Sequence, residues 1–366
     1  MTRPMRRAFY VAMLASIGLG ATLARAGMPG TEATLAVEAL DSGDVHLREL
    51  NLQADQSLPR CPYVFSATTS RIDIDYGPAR YDILSQPMRR VEERTAAELT
   101  MRFRPDADFI PFAGGGGDRG FTDFRSVWLD EYYRQLFAGV PGYAPALPHG
   151  WHALAGGRWS YLPGSAILQG TLVRQDDTVS PGYEPQIGHP LLRGRERLRT
   201  TAVRVSTENV ATPTVRTLLE LGATNTTGRD TRYSVQGSVN WAISDTVTLR
   251  GVVAGVREPP AFHATSIALT CERDWNARWF AGLAVRGYRD SGEVIDPLIG
   301  SSAAPALRTV HMAACLRWQG ERAAVRLEGG PYRTRYDNRA LASAQFARLY
   351  RDRNWRRVQG TASWRF

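Results

Sequence analysis

RYSVQGSVNWAI, residues 232–243, alternates in character at every step. Tyr233, Val235, Gly237, Val239, Trp241 and Ile243 share one parity, and Arg232, Ser234, Gln236, Ser238 and Asn240 share the other. Successive side chains of an extended strand leave opposite faces, so this pattern is a strand with one apolar and one polar face. The same split recurs in 95–104, where Ala97, Leu99, Met101 and Phe103 oppose Glu98, Thr100, Arg102 and Arg104. It recurs in 323–328, with Val325 and Leu327 against Arg326 and Glu328. At the C-terminus Val358, Gly360, Ala362, Trp364 and Phe366 oppose Arg357, Gln359, Thr361, Ser363 and Arg365.

Working outward, the pattern predicts strands near 94–105, 150–162, 165–176, 197–209, 214–225, 231–243, 246–257, 262–273, 277–288, 306–318, 321–335 and 356–366. That is about 12 strands, or 14 if 71–80 and 119–137 also extend. Most match the roughly 9–11 residues of a tilted membrane-crossing strand or exceed it, where soluble strands are nearer 5–6. The connections alternate between short turns, such as Pro163-Gly164 and Ser244-Asp245, and intervals such as 177–193, 289–305 and 336–355. Short turns on one side and long loops on the other mark an all-β, closed antiparallel up-and-down transmembrane β-barrel, here placed at 93–366. An even strand number keeps both termini on one side.

The aromatics follow the same scheme. Trp159, Tyr161, Trp241, Trp279, Trp318 and Trp364 lie beside short turns or the C-terminus, all on the apolar face by parity. Rings that are part apolar and part polar collect at a membrane interface, so these residues are read as a girdle.

The chain begins with an export signal. Arg3, Arg6 and Arg7 precede an uncharged run from Ala8 to Ala24, and Ala24-Arg25-Ala26 supplies small residues for cleavage after Ala26. Residues 1–26 are therefore expected to be removed, and no Cys follows that could carry a lipid. No later run reaches the length of a membrane helix. All 45 basic residues are Arg, with no Lys. The leader holds four of them and no acid, which leaves 41 Arg against 36 acids in the remainder. That balance is too even for a nucleic-acid groove. Residues 27–92 show no sustained period beyond a short alternation in 71–76, and are read as a periplasmic extension or plug. Gly114–Gly117 reads as a flexible loop, since no Lys-Ser/Thr follows as in a phosphate loop.

The ending Trp364-Arg365-Phe366 on an alternating strand resembles the C-terminal signal of Gram-negative outer-membrane β-barrel proteins, the porin-like class. The resemblance covers about 94–366 as a pattern and 356–366 as a motif. It implies a place in the outer membrane and contact with its lipid and lipopolysaccharide. It also implies recognition by the barrel-assembly machinery through the terminal aromatics, Trp364 and Phe366.

Parity directs Arg158, Arg204, Arg216, Arg250, Arg286, Arg317 and Arg326 inward, together with Glu220 and Glu328. An arginine-rich lumen concentrates anions, so the leading expectation is a passive, anion-preferring channel for an anionic solute. The alternatives are a barrel that exports or assembles surface polysaccharide, a structural or adhesion barrel, and an outer-membrane hydrolase. The hydrolase reading has little support. His263 and Ser266 fall on opposite faces, unlike the Ser–His pair of outer-membrane phospholipases. Asp44-Val45-His46 and Asp73-Ile74-Asp75 have omptin-like spacings in the wrong order. The expectation is therefore no catalytic residue, no cofactor and no metal site, since the six His show no ligand spacing. Cys271 and Cys315 fall on opposite faces and should not pair, which leaves an odd set with Cys61.

Overall fold

The computed structural model of the chain describes residues 31–57, 63–76, 89–103, 107–121, 147–179, 196–259, 262–292, 305–337 and 350–365. The signal segment, Cys61, Arg104 and Phe366 lie outside them. The strands are β1 (Thr31–Asp41), β2 (Val45–Ser57), β3 (Tyr63–Tyr76), β4 (Arg89–Arg102), β5 (Phe109–Gly120), β6 (His149–Leu162), β7 (Ala166–Val179) and β8 (Glu196–Thr212). There follow β9 (Val215–Thr226), β10 (Arg232–Ser244), β11 (Val247–Glu258), β12 (Phe262–Asp274), β13 (Trp279–Asp290), β14 (Leu307–Gln319), β15 (Ala323–Tyr336) and β16 (Arg353–Arg365). Each strand pairs antiparallel with its chain neighbours, and β1 pairs with β16 to close the barrel.

The closed up-and-down barrel is thus as expected, but it has 16 strands rather than about 12 or 14. The twelve strands read from alternation all exist. The four others are β1, β2, β3 and β5. Of the segment 27–92 expected to form an extension or plug, residues 31–57, 63–76 and 89–92 are barrel wall instead. Their alternation breaks because the apolar parity switches along the strand. On β3, Phe65 and Ala67 point out while Ile72 and Ile74 point in and are buried; on β2, Leu50 and Leu52 point out while Val45 and Leu47 point in. Beyond the hydrocarbon the wet side is the outside, so the apolar side chains turn to pack within the barrel.

The glycine run is likewise not a loop. Gly114–Gly117 lies in mid-β5 between β4 and β6. A Cβ at Gly114 would stand 2.5 Å from the Leu99 carbonyl, and one at Gly116 would strike the Ala97 carbonyl. Glycine has no side chain to mark a face, so a strand built from it shows no period.

Turn chemistry matches the short connections. Between β6 and β7, Pro163 precedes Gly164, which adopts φ +75°, and the Ser165 amide donates to the Leu162 carbonyl at 2.9 Å. That is a type II turn, with Pro at its second position and Gly at its third. The turns 213–214, 245–246, 275–278 and 320–322 lie at the same end of the barrel, while the intervals 121–148, 180–195, 293–304 and 338–349 join strands at the opposite end, as does the shorter turn 42–44.

Candidate functional site in the lumen

Val252 on β11 and Ile72 on β3 stand half the ring apart, yet both border one cavity of about 530 Å³. The face they share is therefore the inside, and the cavity runs across the lumen. The opposite face carries exposed apolar side chains such as Leu283, Val253 and Met312.

Register settles the remaining positions, because directly paired residues share a face. Arg158 faces Gln169, Arg204 faces Thr171, Arg216 faces Asn240, and Glu220 faces Gln236. Arg250 faces Thr270, Arg286 faces His311, Arg317 faces Arg326, and Glu328 faces Gln359. All nine lie on the inward face. Trp159, Trp241, Trp279, Trp318 and Trp364 lie on the outward face near the short-turn end, where Trp279 and Trp318 are direct partners. Tyr161 follows a register shift after Trp159 and donates its hydroxyl to Asn209 Oδ1 at 2.6 Å.

The structure divides the inward charges into two kinds of wall. On β11–β15 four arginines gather around two buried carboxylates. Glu272, 4% exposed, receives Arg326 at 2.9 Å, Arg317 at 3.5 Å and Arg250 at 3.7 Å. This places one carboxylate against the directly opposed Arg317–Arg326 pair. Glu328, 5% exposed, takes both terminal nitrogens of Arg286, with Nη2 to Oε2 at 2.8 Å, and lies 3.5 Å from Arg326. Buried carboxylates are tolerable because each is matched by a guanidinium fork.

The seam between the first and last strands uses the same device. Arg357 donates to Glu38 at 2.8 and 3.1 Å, Arg365 reaches Glu32 at 3.3 Å, and Arg353 reaches Asp44 at 3.2 Å. Asp44 sits in the turn between β1 and β2. Burial raises its pKa, but the hydrogen bonds and charge of Arg353, with help from Ser42, outweigh this and hold it below the usual carboxylate value. A depressed carboxyl stabilises the fold above its unfolded pKa, and the contribution disappears as pH falls through the folded value. The variant D44N is thus expected to lose on the order of 1 kcal/mol at neutral pH, as partly exposed ion pairs do. Its deficit against wild type should shrink below about pH 4, as followed by unfolding in urea across a pH series.

The wall on β4–β9 differs. Arg102, Arg158, Arg204 and Arg216 are exposed and have no ion-pair partner among the described residues. Glu208 and Glu220 share that sector and are also without one. Acids that alternation did not reveal enter the lumen from the N-terminal strands: Glu32, Glu38, Glu49 and Asp55, with Glu92 and Asp118 nearby. By register the inward faces of β4–β9 carry as many described carboxylates (Glu92, Glu98, Asp118, Asp177, Glu208 and Glu220) as arginines, so the expected arginine excess does not lie here; what sets this sector apart is four exposed arginines without an ion pair among the described residues.

His311 borders the cavity and fixes its own tautomer. Arg286 at 3.0 Å and Arg357 at 3.3 Å both reach Nδ1, and guanidinium can only donate. Nδ1 must accept, so Nε2 carries the hydrogen; this buried atom has no partner among the described residues. His311, Arg286 and Arg357 border the cavity beside Tyr288 and Trp355.

The residues weighed for hydrolysis do not converge here. His46 and Asp75 are direct partners on the outward face, with His46 3.2 Å from Asp41. Asp73 also points out, and Asp44 is held by Arg353. Cys271 points out and Cys315 in, and both are free.

No family model matches the sequence, and no curated protein is similar to it in sequence. Solved structures with a similar fold include CdiB from Acinetobacter baumannii, with TM-score 0.53 at 10% identity over 92% of this chain and 60% of that one. A bacterial polysaccharide outer membrane secretin has TM-score 0.49 at 9% identity, covering 93% and 99%. Pseudomonas putida OprB has TM-score 0.46 at 10% identity, covering 91% and 92%. The chain thus resembles outer-membrane barrels, and the likeness is one of fold.

Proposed function

We propose that this protein is a passive outer-membrane channel for small hydrophilic solutes, with preference for anions. After cleavage near Ala26, the barrel-assembly machinery would receive the chain through Trp364 and Phe366. The observation that carries the reading is the inward sector of β4–β9. There Arg102, Arg158, Arg204 and Arg216 stand exposed without carboxylate partners among the described residues. Across the ring, Glu272 and Glu328 are already occupied by arginines. Free guanidinium groups along a wet wall raise the local concentration of anions, and the wall opposite, where Arg250, Arg286, Arg317 and Arg326 meet Glu272 and Glu328, sets no net negative charge against them. The girdle and the outward apolar band give the same barrel its hydrocarbon contact. No covalent chemistry, cofactor or metal forms part of this reading.

The test is a planar bilayer holding the purified, processed protein under a salt gradient. A stable conductance with a reversal potential on the anion side is expected. Absence of conductance, or a cation-side reversal potential, overturns the proposal.

A further inference from the structure

The outward face carries its own basic patch where the apolar band ends. Arg289 on β13 is the direct partner of Arg308 on β14, which in turn is the direct partner of Arg335 on β15. Arg333 lies two residues below Arg335, and Arg356 on β16 faces Pro331. All five side chains are exposed. Arg335 lies 3.7 Å from Asp352, while the other four have no ion pair among the described residues. Like charges placed opposite one another on a sheet destabilise it unless something between them is negative. At two other places on the outer face the matching acid is built in: Arg197 and Arg199 share Asp176, and Arg71 meets Glu93.

The height of the patch says what could supply the charge. Ten residues separate Trp279 from Arg289 on β13, and ten separate Trp318 from Arg308 on β14. At roughly 3.4 Å per residue and a tilt of roughly 40°, that span is about 25 Å, the height of the apolar band of such barrels. Between these limits the outward residues of β13 are Ala281, Leu283, Val285 and Gly287. The arginines therefore begin where hydrocarbon stops, at the end with the long loops, which faces outward in barrels of this kind.

We infer that this patch binds the phosphate groups of a multiply phosphorylated lipid of the outer leaflet, whose acyl chains lie along Leu283, Val285 and Met312. Guanidinium forks bind phosphate oxygens in pairs, and several directed at one headgroup replace the missing carboxylates. The three apolar side chains are 68%, 45% and 54% exposed and lie on the same outward face, four to six residues below the arginines of β13 and β14. They select a lipid over a free anion. The inference rests on the outer-membrane reading.

Purified barrel in neutral detergent is titrated with bis-phosphorylated lipid A, with its monophosphorylated form, and with inorganic phosphate, and bound lipid is counted by native mass spectrometry. Wild type should retain the bis-phosphorylated lipid best, and R289Q/R308Q/R335Q should bind it at least tenfold more weakly. The control R48Q/R119Q/R174Q should bind as wild type does. Equal binding by wild type and the patch variant, or equal loss in the control, overturns the inference. Displacement of lipid by equimolar inorganic phosphate also overturns it and points to an anion site alone. A channel that conducts while its patch variant binds lipid normally refutes only the patch. A processed chain that is monodisperse without detergent refutes the membrane reading beneath it.

Discussion

Replacing Glu272 with alanine is expected to lower the unfolding free energy by about 3 kcal/mol. The carboxylate is nearly buried and receives Arg250, Arg317 and Arg326 from three different strands. Removing it leaves Arg317 with no carboxylate among the described residues, directly opposed to Arg326, which keeps only Glu328 at 3.5 Å. Breaking a buried ion pair from one side costs roughly 3–5 kcal/mol, because the remaining charges stay desolvated. The three arginines are 43%, 25% and 29% exposed, so they recover part of their hydration, and the lower end of that range applies. The double variant E272A/R326A should lose less than the two single losses combined, because each single change already removes the shared contact. Urea unfolding in phospholipid vesicles, read by tryptophan fluorescence, measures all three. A loss under about 1 kcal/mol for E272A would show that water reaches this wall freely.

The second large effect is on selectivity. The variant R158E/R204E/R216E replaces three positive charges of the β4–β9 sector with three negative ones and leaves it strongly negative, without touching the paired wall. The reversal potential under a salt gradient should cross from the anion to the cation side, because the sign of a charged ring selects the permeant. None of the three arginines holds an ion pair among the described residues, so stability should change by less than about 1 kcal/mol. An unchanged reversal potential in a folded variant would mean that ions pass by another route.

Legibility followed the environment of each strand. β10 was plain because Tyr233 to Trp241 touch hydrocarbon on one side while Ser234 to Asn240 touch water on the other. β1 was not, because Ala33, Leu35, Val37 and Ala39 point out while Ala36 and Leu40 point in, so apolar residues occupy both parities. β2 and β3 hide the same way, through the inward cluster of Val45, Leu47, Ile72 and Ile74. β5 hid because its glycines have no face. The inward arginines of β8–β16 could be read from parity alone. Their partners could not, since Glu38 and Glu32 meet Arg357 and Arg365 across 319 and 333 residues of chain.

Alternation between water and hydrocarbon is a local property, so it is written into consecutive residues. By itself the sequence determined the barrel class, the twelve amphipathic strands, the outward face of Trp159, Trp241, Trp279, Trp318 and Trp364, and the inward face of Arg158, Arg204, Arg216, Arg250, Arg286, Arg317 and Arg326. Ring closure is not local. Only the tertiary structure decided that 16 strands complete the circle, that the N-terminal strands are wall, and that their acids enter the lumen. The same closure sorts the guanidinium groups into those held by carboxylates, those left exposed on the inward face, and those left where the outward apolar band ends.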